Sequence, residues 1–202
     1  MHFIFQSDDL TDYLAESDLV NFSNPSIQVL CGQLFHEGQS EVEKVRAAFH
    51  YVRDEISHSK DIEGEIVTCA ASDVLAHKQG ICYAKSNLLA ALLRSQSIPA
   101  GFCYQRLMLF DTPEKGYCIH ALNAVYLQSV DKWIRLDARG NKPGVDAQFS
   151  VDEEKLAFPV NEALDEIDYP TIYAIPNEQT IAILKSSTNA IDMYMHHLPQ
   201  SL

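Results

Sequence analysis

Three side chains, Cys82, His120 and Asp137, have the types that thiol chemistry on a carbonyl requires. A thiol attacks only as thiolate, and an ordinary cysteine, with a pKa of about 8.5, is only a few per cent ionised at neutral pH. A helix N-terminus favours negative charge through its unpaired N–H groups, and a protonated histidine nearby favours it further. A third group, a carboxylate or amide, must hold that imidazole in one tautomer and stabilise its charged form. Each of the three residues alone reads as structural: a core cysteine, a hydrogen-bonded histidine, a strand-end cap. Their order and the elements that carry them make the case.

Those elements follow from periodicity and punctuation. Cys82 falls in the first turn of a helix running to about Ser95, with Leu88, Leu89, Leu92 and Leu93 on its buried side and Pro99 beyond its end. A short helix, Ala71 to His77, precedes it and ends in Lys78-Gln79-Gly80, where glycine supplies the turn. His120 opens one strand and Asp137 closes the next, after Trp133-Ile134-Arg135-Leu136, so the three groups converge at one edge of a sheet. Segments 101–110, 119–128 and 132–138, separated by turn-forming residues, read as an antiparallel meander.

Upstream, residues 8–36 read as short helices, the second opening at Asn24-Pro25. Ser40 and Glu43 have capping-box spacing ahead of a helix whose apolar face is Val42, Val45, Phe49, Val52 and Ile56. Residues 149–175 are acidic and irregular, and helices follow Pro176 and Asn189. Helices followed by strands predict an α+β domain, one layer of helices packed on an antiparallel sheet, with the nucleophile at a helix N-terminus. The expected organisation is a single domain over 1–202, with a core at about 40–140 and a covering segment at about 145–202. That segment either shapes a substrate groove or packs as a stabilising tail.

Among the 202 residues, 15 are basic and 28 acidic, a formal net charge of -13, and the Lys and Arg residues are scattered. This argues against nucleic acid and anionic membrane as partners. There is no basic start with an apolar run for export and no apolar stretch of about 18 residues to span a bilayer. Five widely spaced cysteines, an odd number, read as reduced thiols in a cytoplasm. Cys118 and His120 share a strand face without the companion ligands a metal needs, so neither metal nor cofactor is expected.

Taken together, Ala71-Ser72-Asp73-Val74-Leu75 through Gly80-Ile81-Cys82-Tyr83-Ala84-Lys85 to Leu92-Leu93-Arg94 and Ile98-Pro99-Ala100, His120-Ala121-Leu122-Asn123-Ala124-Val125 and Trp133-Ile134-Arg135-Leu136-Asp137 resemble the transglutaminase-like superfamily. A weaker block is Phe49-His50-Tyr51-Val52-Arg53-Asp54-Glu55-Ile56. The resemblance covers residues 45 to 139 and implies a papain-like fold in which Cys82, His120 and Asp137 form the catalytic triad. It implies a cysteine peptidase or amidase acting on a peptide or small amide through a thioester. The alternatives are an amine acyltransferase or a binding module that keeps the fold. Gly80-Ile81-Cys82-Tyr83 departs from the Gly-Gln-Cys-Trp of animal cross-linking enzymes, which disfavours amine transfer. The Cys82 N–H supplies one oxyanion donor; Gln79 and His58 are candidates for the second, His58 standing where many bacterial relatives carry an aromatic residue. Lys85, one turn after Cys82, reads as a solvent-facing or snorkelling lysine.

Overall fold

The computed structural model describes residues 2–202. Six α-helices, α1 (Pro25–Leu34), α2 (Glu41–Glu55), α3 (Ala71–His77), α4 (Cys82–Arg94), α5 (Glu178–Ser186) and α6 (Ala190–His196), accompany eight strands. These are β1 (Ile4–Phe5), β2 (Ser57–His58), β3 (Gln79–Gly80), β4 (Ala100–Met108), β5 (Tyr117–Leu127), β6 (Lys132–Leu136), β7 (Ile167–Asp168) and β8 (Thr171–Ile172). The main sheet is antiparallel in the order β6-β5-β4-β7; β1 with β8 and β2 with β3 form two-residue parallel pairs. This is the expected α+β papain-like arrangement, with its meander in place.

The helix starts behave as their caps dictate. Asn24 accepts from the Ser26 N–H with Pro25 at the first position, and Ser40 and Glu43 close a full capping box on α2. Asn177 and Asn189 cap the two C-terminal helices in the same way. Val45, Phe49 and Val52 are buried along α2, and Ile56 at its end joins them in the core.

Two expectations are corrected. Helix α4 has no exposed face: all thirteen of its residues are buried, because it packs against α2, α3 and α5 as well as β4 and β5. A helix enclosed on all sides can carry Lys85 and Arg94 inward only if their heads find acceptors. Arg94 donates to the carbonyls of Ala15, Ala100 and Ala174, tying the helix end to three segments. The covering segment is also not wholly irregular, since it adds β7 to the β4 edge and a bridge from Tyr173 to Phe102. Arg135, a buried side chain of β6, fixes it there by pairing with both Glu154 and Asp168. No helix among the described residues is long and apolar enough to cross a membrane.

Asn123 of β5 donates to the carbonyls of Ser86 in α4 and Gly101 in β4, each at 3.1 Å, and so joins helix to sheet just beyond His120. Asn123→Ala should lower unfolding stability by about 1–3 kcal/mol, read from the urea midpoint; an unchanged midpoint would mean that these bonds do not hold the helix to the sheet.

Candidate active site

Cys82 occupies the first position of α4, so its N–H has no intrahelical acceptor. The approach to it is tightly built. Lys78, not Gly80, takes the left-handed conformation that ends α3, with φ of 52°. Gly80 is needed for space: a Cβ there would meet Thr68 Oγ1 at 2.9 Å and Ala84 Cβ at 3.2 Å. This packing lets β3 run beside β2 with His58 opposite Gly80, and that register brings His58 to the nucleophile's side of the molecule. Tyr83, next to Cys82, donates its hydroxyl to the Ile119 carbonyl at 2.8 Å, which docks the first turn of α4 one residue before His120.

His120 Nε2 and Asp137 Oδ2 lie 2.8 Å apart, both side chains almost fully buried. The other charge that acts on the ring is the sulfur of Cys82, which lines the same cavity as His120. Burial alone would push the His120 pKa down, but the Asp137 carboxylate and the Cys82 sulfur outweigh it and raise it to about 10. Burial likewise opposes ionisation of Asp137, yet the imidazole of His120 and the N–H groups of Ala157 and Arg139 hold its pKa below the ordinary value. Those N–H groups donate at 3.0 Å and 3.2 Å, so both carboxylate oxygens have partners. The structure thus pairs His120 with Asp137 and places Cys82 on the same cavity wall as His120.

Cys82, His120 and His58 together line a cavity of about 530 Å³, with Asp137 buried behind His120. His58 is buried with its Nδ1 unpartnered, and desolvation, helped by the nearby Arg139 charge, drives its pKa well down, so it is neutral. A neutral imidazole lining the cavity beside Cys82 is the side-chain candidate for a second donor to a developing oxyanion. Gln79 is absent from the cavity wall; its side chain is turned toward Gly64.

Several residues were not legible beforehand. Lys85 is buried rather than solvent-facing: Nζ donates to the Ile56 carbonyl, and burial, with the nearby Arg139 charge, lowers its pKa to about 7. Phe158 packs its ring edge-on to His120, 5.2 Å between centroids, while the preceding Ala157 supplies the N–H bound to Asp137. Tyr194 of α6 packs edge-on to His58 at 5.8 Å. The covering segment therefore builds part of the site, and its irregular chain gave no periodic signal from which these contacts follow. Among the described residues no three His, Cys, Asp or Glu side chains gather as a metal ion would need.

A model of the transglutaminase-like superfamily matches residues 30–138, more than half of the chain. No curated protein matches the sequence. Among solved structures, the chain is similar to a putative cysteine protease from Cytophaga hutchinsonii at a TM-score of 0.52 and 22% identity, over 66% of this chain and 43% of that one. A putative protease from Parabacteroides distasonis gives a TM-score of 0.40 and 17% identity over 62% of this chain and 25% of that one. A TGase gives 0.43 and 17% over 79% and 47%. The chain spans less than half the length of each, and the first comparison shows a shared fold.

The paired pKa shifts have a consequence for stability. His120 is raised above its unfolded value of 6.5, so its contribution is full below pH 6.5 and lost as pH rises through about 10. Asp137 is lowered below 3.8, so its contribution is full above that value and lost as pH falls through its folded pKa. The stability gap between the parent and Asp137→Asn should thus be widest between pH 4 and 6.5 and shrink toward pH 10, as measured by urea unfolding across that range. A gap that stays constant with pH would show that the pair carries no charge.

Proposed function

The chain belongs to the transglutaminase-like superfamily, and from that premise we propose that it is a cysteine-dependent amide hydrolase whose nucleophile is Cys82. The observation that carries this reading is a buried His120–Asp137 hydrogen bond whose histidine shares one cavity wall with a cysteine at a helix N-terminus. The Cys82 thiolate attacks the amide carbon, and the oxygen that becomes negative receives hydrogen bonds from the Cys82 N–H and from His58. The protonated His120 gives its proton to the departing amine, leaving an acyl group on sulfur and a neutral imidazole. That imidazole takes a proton from water, which attacks the thioester; the acid product departs and the thiolate–imidazolium pair is restored. Asp137 keeps the ring oriented and stabilises its charged form throughout.

Water is favoured over an amine as the acyl acceptor by the charge of the cavity. Lys60, Arg139 and Lys142 line it against Asp61 and Glu166, so cations outnumber carboxylates on its wall, while the His120 charge is balanced by Asp137. A lysine ammonium approaching this site meets like charge. The motif at Gly80-Ile81-Cys82-Tyr83 agrees with that preference.

Treatment with a small activated acyl donor such as p-nitrophenyl butyrate, followed by quenching and peptide mass spectrometry, should locate one acyl adduct on Cys82. His120→Ala and Asp137→Ala should slow its formation by roughly 10²–10⁴ while the proteins stay folded. An adduct on another residue, or unchanged turnover by a folded Cys82→Ala protein, would sink the proposal. With a lysine ester present during turnover, free acid should remain the predominant product by mass spectrometry, and predominant amide would reassign the enzyme to amine transfer.

A further inference from the structure

The cavity is chemically divided, and the sheet order sets the direction of the division. His120 lies on β5, the strand between β6 and β4. On the β4 side the wall is apolar: Leu107 pairs in register with Cys118, Met108 follows it, and Phe110, Leu164 and Leu198 extend the surface. Among the described residues Glu166 is the one carboxylate there, and its oxygens are occupied by the N–H groups of Met108 and Asn161, each at 2.8 Å. Its oxygens are thus committed to holding the wall together.

On the β6 side, just past Asp137, the wall is cationic. Arg139 forms a two-pronged pair with Asp61, and Lys142 binds the same carboxylate at 2.8 Å. These contacts hold the Asp61 pKa, which burial alone would raise, down to about 2, so the group stays ionised. One carboxylate therefore faces two cations, and Lys60, beside Asp61 in the chain, adds a third with no ion pair among the described residues. Lysines at such a site are surplus to the local carboxylate. In a chain with a net charge of -13, a cation-rich wall in the one cavity that holds Cys82 is not an average property of the surface.

From this juxtaposition we infer that the substrate is an amphipathic anionic amide, with an apolar group seated on the Leu107–Met108 wall and a carboxylate held by Lys60 and Lys142 on the other side of the scissile bond. The inference rests on the reading of Cys82 as the nucleophile, because it places the scissile amide between the two walls. Lys60 and Lys142 act here as specificity determinants. Arg139 is a positioning residue: its N–H fixes Asp137 and its guanidinium fixes Asp61.

The test uses binding, so that it stands apart from turnover. The probes are N-octanoylglycine and N-octanoylglycinamide, which share an apolar chain and an amide and differ only in the carboxylate. Calorimetry on the full-length Cys82→Ala protein should find the carboxylate probe bound about tenfold more tightly, a gap that narrows as salt is raised. In a Cys82→Ala protein that also carries Lys60→Met and Lys142→Met the two probes should bind alike. Both lysines are partly solvent-exposed, so these changes leave the core untouched; far-ultraviolet circular dichroism and the urea midpoint check that the fold is retained. Equal binding of the probes by the parent, binding of neither, or a gap that survives the double substitution would each overturn the inference. Failure of the nucleophile assignment is read separately, from the site of the acyl adduct.

Discussion

The His120–Asp137 pair sits in the interior, and burying two such charges costs several kcal/mol unless their partners are complete. That requirement organises the molecule. Asp137 cannot remain ionised there without the imidazole and the N–H groups of Ala157 and Arg139, and the imidazole cannot remain charged without Asp137 and Cys82. Strands β5 and β6 bring the two side chains together where β6 ends and β5 continues past it. Helix α4 must then present its N-terminus at the same place, and Tyr83 and Asn123 bond it to the sheet on either side of His120. An enclosed helix with an arginine and a lysine on its inner faces is the consequence, their heads hydrogen-bonded to backbone carbonyls.

The C-terminal segment belongs to this arrangement rather than lying over it. Ala157 and Phe158 lie beyond the residues matched by the family model, yet one supplies a hydrogen bond to Asp137 and the other a ring against His120. Arg135 is the anchor: placed two residues before Asp137 on β6, it grips Glu154 and Asp168, and the intervening chain is thereby drawn across the site. The same motif therefore provides the orienting carboxylate and the clamp for the segment that completes its shell.

Local signals made much of this legible in advance. Capping residues at Asn24 and Ser40, and the breaks at Pro176 and Asn189, marked helix starts, and the spacing of Val45, Phe49 and Val52 marked a buried face, because both act over one or two turns. The placing of Cys82 in a first turn, and of His120 and Asp137 on neighbouring strands, followed from the same short-range rules. What escaped depends on contacts distant in the chain. Burial of Lys85 requires knowing that α4 is surrounded, and the role of Ala157 is carried by a backbone N–H that any residue would offer. Gly80 shows the limit within a motif: a glycine read as a source of turn freedom is required instead by the closeness of Thr68 and Ala84.

The central claim is that a charged imidazole stands beside Cys82, and the most direct measurement is the alkylation rate of each cysteine from pH 5 to 9, by peptide mapping, in the parent and in His120→Ala. Burial pushes the thiols of Cys31, Cys69, Cys103 and Cys118 up, so these should stay silent near pH 6. Cys82 alone should react there in the parent. In His120→Ala its rate should instead climb with pH as an ordinary thiol does. Similar labelling of several cysteines at pH 6, or a Cys82 profile that His120→Ala leaves unchanged, would contradict the account.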